Sequence, residues 1–87
     1  MPADADRAFQ EGLTLFNAGR TAEACIKFAE SYRIAPANGT LLNLAACHEK
    51  EGKRALAFRE WTDLVTRAAK SGQKPRETMA RQRAAEL

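Results

Sequence analysis

The feature that most constrains this chain is an internal repeat. LFNAGRTAEACIKFAESYRIA (15–35) aligns with HEKEGKRALAFREWTDLVTRA (48–68) at an offset of 33 residues. Gly19 falls on Gly52, Ala24 on Ala57, Phe28 on Trp61, Tyr32 on Val65 and Ala35 on Ala68, and upstream Gly12 meets Ala45. The matched positions carry either small or bulky apolar side chains, while the charged positions vary. Self-similarity of this kind marks a packing unit that cannot bury its apolar face alone and stacks on a copy of itself.

The apolar spacing fixes the element type. Ala24, Phe28, Tyr32 and Ala35 recur at i, i+4, i+8 and i+11, and Ala57, Trp61, Leu64, Val65 and Ala68 repeat that stripe. Gly19 and Gly52 are placed to take the left-handed conformation that closes a helix. Thr21 is suited to cap the second helix and Asn38 the third, and Pro36 ends the second. Pro75, with Glu77 in the first turn, opens a fifth. The pattern predicts helices at about 4–18, 21–35, 39–51, 54–70 and 75–86, with boundaries uncertain by ~2–4 residues. The fold class is all-α, in helix hairpins. At 87 residues, one small domain is all the chain can build.

Composition narrows the class of role. Apolar residues at 45% and charged residues at 29% fit a folded globular domain rather than a disordered one. No stretch approaches the ~20 apolar residues of a membrane span, and the start lacks a secretory pattern, so the expected compartment is cytoplasmic. Residues 1–49 carry four basic and six acidic side chains, whereas residues 50–87 carry ten and five. That basic excess raises an alternative: a nucleic-acid-binding helical domain using Lys70, Lys74, Arg76, Arg81 and Arg83. The segment lacks aromatics, and Glu77 and Glu86 interrupt its charge, so nucleic acid is the less expected partner.

LAACHEKEG (44–52) groups a cysteine, a histidine and two glutamates. On a helix Cys47 and His48 point about 100° apart, and no H-E-x-x-H or C-x2-C pattern completes a metal site. His48 is expected to be a packed, hydrogen-bonded ring. No catalytic residue, cofactor or metal is expected, and with no phosphate loop or nucleophile motif the chain does not read as an enzyme. Cys25 and Cys47 lie among apolar neighbours and are expected as buried free thiols, with a Cys25–Cys47 bridge as the alternative.

Gly12, Leu15, Ala24, Phe28 and Pro36, then Leu44, Ala45, His48, Ala57 and Trp61, follow the spacing of a known signature. The chain resembles the tetratricopeptide repeat family, W-x2-L-G-x2-Y…A-x3-F…P. Ala8 and Leu41 stand in the Trp place, Glu11 in the first Leu place and Ala69 in that of the closing Pro. The resemblance implies repeats at about 5–37 and 38–70 with a capping helix at about 75–87. It implies antiparallel hairpins stacked as a short right-handed superhelix, and a protein-interaction scaffold whose concave side is lined by the first helix of each repeat.

On that side Phe9, Leu13 and Phe16 form a second apolar stripe beside the Ala8/Gly12/Leu15 one. Leu42, Ala46 and Glu49 correspond to it in repeat two, with Asn17, Asn43 and Lys50 beside them. These nine residues are the candidate partner-binding set, suited to an amphipathic helix or an extended peptide. Burial of both stripes, under a neighbouring repeat or in a homodimer, is the competing expectation. The carboxylate-clamp places of the family read Phe9, Leu13 and Asn43, so recognition of a chain-terminal carboxylate is not expected.

Overall fold

The computed structural model describes residues 2–87, and Met1, which the single-domain reading includes, lies outside them. Five helices run in sequence: α1 Pro2–Asn17, α2 Thr21–Ile34, α3 Asn38–Lys50, α4 Arg54–Lys70 and α5 Lys74–Ala85. There is no strand among the described residues. Each helix packs on the next in the chain, and the molecule measures 29 × 27 × 17 Å. Its thinnest dimension accommodates two rows of helices at the usual ~8–10 Å spacing. Among the described residues no helix is long and apolar enough to cross a membrane.

Three junctions share one geometry. Gly19 and Gly52 both have φ 80°, and Gly72 has φ 70°, a region that side chains other than glycine's rarely enter. Around each, the glycine N–H bonds three residues back and the next N–H five back: Arg20 to Leu15, Lys53 to His48, and Gln73 to Ala68, each at 2.9 Å. This paired bonding satisfies carbonyls that a helix end leaves open. Gly72 takes the same role that the repeat predicts for Gly19 and Gly52. The remaining junction is proline-based, with Ala35 extended ahead of Pro36.

Three local expectations are corrected. Thr21 does not cap α2: Arg20 holds that place without a side-chain cap, its guanidinium drawn to Glu23 at 2.7 and 2.8 Å. Thr21 is instead the first residue of α2, where the expected range begins. Asn38 does not cap α3 either. Ala37 holds the cap position, and Asn38 Nδ2 instead donates to Gln73 Oε1 at 3.0 Å, tying α3 to the α4–α5 turn. The third correction concerns the thiols. Cys25 and Cys47 are joined in a disulfide, with Cα atoms 5.6 Å apart. The crossing of α2 on α3 sets that separation, within the usual range for a bridge.

The core obeys the repeat register. Ala24 and Ala57, Phe28 and Trp61, and Ala8 and Leu41 are buried in corresponding pairs. One cluster gathers Ala24, Cys25, Phe28, Leu44 and Cys47; the other gathers Leu41, Ala45, Ala57, Trp61, Leu64 and, from α5, Ala80. Small residues let the rods approach. At Gly12 an added Cβ would lie 2.7 Å from the Phe28 ring. Ser31, which pairs with Leu64 across the repeat, is buried with its hydroxyl donating to the Ala5 carbonyl at 2.7 Å.

Candidate interaction face

Alternate faces of α1 have different fates. Ala5, Ala8 and Gly12 are buried, whereas Phe9, Leu13 and Phe16 are half-buried, resting on the Phe28 cluster while keeping one side open. Phe9 meets Phe28 with ring centroids 5.7 Å apart and planes tilted by 52°, a favourable aromatic arrangement. The second stripe is therefore no spare surface: its inner edge belongs to the core and its outer edge does not. Asn17 is exposed at the end of α1.

On α3, Leu41, Leu44 and Ala45 are buried, and Leu42 and Ala46 are half-buried against the Trp61 cluster. Leu42 lines an open groove of about 520 Å³ whose other walls are Gln73, Pro75, Arg76 and Met79. At Leu42 the apolar floor thus has α5 as its neighbour. Phe9 lines a separate recess of about 250 Å³, together with Ser31, Ala35, Gly39 and Thr40.

Three polar members of the set, Lys50, Asn43 and Glu49, are engaged within the molecule. Lys50 Nζ lies 5.3 Å from the centroid of the Phe16 ring, a cation–π distance that links α1 to α3. Asn43 Nδ2 donates to the Gly39 carbonyl at 2.9 Å. Glu49 Oε1 accepts from Trp61 Nε1 and from Arg83, each at 3.0 Å, and the Arg83 guanidinium stands 4.9 Å over the indole. Glu49 is thus the polar joint of α3, α4 and α5, a role that spacing within one helix does not reveal. Among the basic side chains of the C-terminal segment, Arg83 is spent on Glu49, Arg81 pairs with Glu77 at 3.0 Å, and Arg76 donates to Gln73 at 3.0 Å.

A second polar joint lies between α2 and α4. Arg67 Nε donates to the Tyr32 hydroxyl at 2.9 Å. Burial pushes the Tyr32 phenol above its ordinary value of 10.0; Arg67 opposes that shift, while Asp63 and Glu60 add to it. His48 Nδ1 sits 2.7 Å from Glu60 Oε1, the packed and hydrogen-bonded ring expected of it. Among the described residues the large exposed apolar side chains are Ile26 and Phe58, at 67% and 49% exposure, on α2 and α4 rather than on the helices that carry the nine-residue set.

Compared with family models, curated proteins and solved structures, the chain matches none.

Proposed function

We propose that this chain is a non-catalytic interaction module of tetratricopeptide type that holds an amphipathic helix or extended peptide of a partner. The partner lies along α1 and α3, or a second copy of the chain takes its place. One observation carries the reading: the inner faces of α1 and α3 are buried, while Phe9, Leu13, Phe16 and Leu42 run beside them half-open. Half-buried apolar side chains on rigid rods recognise a partner at little entropic cost, because packing beneath them already fixes their rotamers. The Leu42 groove adds a pocket for one anchoring side chain, with Arg76 at its edge.

Peptides selected on the wild-type protein from a random library test the face. Substituting Leu13→Ala together with Leu42→Ala should weaken their binding at least tenfold by fluorescence anisotropy, with helicity by circular dichroism retained. Undiminished binding sinks the assignment. The nucleic-acid alternative is weakened by the engagement of Arg76, Arg81 and Arg83 within the molecule. A labelled single strand titrated at low salt reads it, since phosphate binding falls steeply as salt rises.

The compartment bears on the Cys25–Cys47 pair. A cytoplasmic site of action would keep the two as thiols, whereas an oxidising compartment preserves the bridge.

A further inference from the structure

Beneath the α2–α3 crossing, side chains from both helices converge. Cys25 Sγ, a ring nitrogen of His48 and a carboxylate oxygen of Glu51 all lie within 4.8 Å of one another. His48 and Glu51 stand three residues apart on α3 and its C-cap, hence on one face, and Cys25 reaches them from α2. Cys47 and His48, as their angular separation predicts, do not share this point: the sulfur comes from the other helix. We infer that the site is a divalent-metal site of the zinc class, closed while Cys25 is bonded to Cys47 and opened by reduction of that bond.

Four features support it. First, the His48 ring is already anchored by a carboxylate. A carboxylate only accepts, so in the neutral ring the proton sits on Nδ1 toward Glu60 at 2.7 Å and the lone pair on Nε2. Metal-bound histidines are held in the same way by a carboxylate on the far nitrogen. Second, Glu51 Oε1 is buried without a hydrogen-bond partner and meets one charged group, the Lys53 ammonium, in an ion pair at 3.3 Å. Third, Cys25, His48, Glu51 and Lys53 line one recess of about 240 Å³, which leaves room for a water molecule as fourth ligand. Fourth, the distances suit the ion. Bonds of roughly 2.0–2.3 Å in a tetrahedron put ligand atoms roughly 3.3–3.8 Å apart, so side-chain shifts of about 1 Å complete the site.

The disulfide withholds one ligand. A sulfur in a disulfide is not a thiolate, and the thiolate is what binds the metal. A dithiol reductant supplies two electrons and two protons: the Cys25–Cys47 bond breaks, two thiols form, and the reductant closes to its own disulfide. Metal binding then releases the Cys25 proton, and Cys25, Glu51 and the dication sum to zero charge. Cys47, fully buried and absent from the recess, serves only as the partner that closes the site. The inference is independent of the peptide-binding reading, since none of the nine face residues belongs to the cluster.

Two single substitutions make the test, because both remove the bridge and only one removes the ligand. Cys47→Ser should bind Co²⁺ and Zn²⁺, added as simple salts, at one ion per chain without reductant, with a thiolate-to-cobalt absorption band. Cys25→Ser should lose the band and at least tenfold in affinity. In the Cys47→Ser background, His48→Ala and Glu51→Gln should each lose at least tenfold, and Glu60→Gln ~10–100-fold through the orientation of His48. Wild-type protein reduced and then freed of reductant should bind as Cys47→Ser does, and reads the same site should that variant fail to fold. Equal binding by Cys25→Ser and Cys47→Ser, or no binding by the reduced wild type, overturns the inference.

Discussion

Gly12 shows how much one residue decides. Inside α1 a glycine gives up about 1 kcal/mol of helix propensity relative to alanine. Yet a methyl group there would sit 2.7 Å from Phe28 Cδ1 and Cε1, closer than packed carbons tolerate, and Phe28 is buried too deeply to retreat. Overpacking outweighs propensity, so Gly12→Ala should lower stability by roughly 1–2 kcal/mol in urea unfolding. Gly39→Ala, whose nearest neighbour would be an Arg76 nitrogen at 3.7 Å, should be neutral or stabilising by up to about 1 kcal/mol. The importance of Gly12 is legible in the sequence, because its repeat partner is Ala45 and both must be small. The cap residues are less legible. Thr21 and Asn38 have the right chemistry for capping, but the glycine turn and the Gln73 contact redirected them.

Between elements, the bonds that join helices are long-range and leave little trace in local spacing. Tyr32 and Arg67 are 35 residues apart and link α2 to α4. Tyr32 is the single tyrosine, so its ionisation can be followed alone by absorbance. Its phenol is raised above 10.0 in the fold. Below that pH the unfolded and folded phenols are both protonated. As pH climbs through 10.0 the unfolded phenol loses its proton first, and stability declines until the folded phenol ionises too. The tyrosinate midpoint should therefore lie above 10.0 in native protein and return to the ordinary value in denaturant. Tyr32→Phe should remove that part of the alkaline loss of stability. The Cys25–Cys47 bridge is another such link, between α2 and α3, and it closes a loop with a sequence separation of 22. A loop of that size contributes about 3 kcal/mol by restricting the unfolded chain. Composition argued for free thiols because it speaks to compartment and neighbours. The distance across a helix crossing was the missing quantity.

At the scale of the molecule, helix number and order were readable throughout, since period, turn glycines and Pro36 act within a few residues of one another. The candidate face was only half readable. Its stripes lie where the periodicity puts them, but their partial burial and the use of Glu49 and Asn43 inside the fold depend on how whole helices lie against each other. The part played by α5 was the least visible. Its sequence offers few apolar residues, yet Ala80 completes the second core cluster, Arg83 covers Trp61, and Met79 walls the Leu42 groove. α5 thereby covers apolar surface of α3 and α4 that would otherwise face solvent.

The placement of Trp61, the single tryptophan, has an optical consequence. The indole is sealed from solvent by packing that includes Ala80, with Arg83 above its ring. Its emission therefore reports whether the last helix is seated, with no dye attached. Ala80→Arg, which forces a charged side chain into that contact, should move the emission maximum to longer wavelength and open the indole to acrylamide quenching. An unchanged spectrum would mean that this lid holds nothing closed.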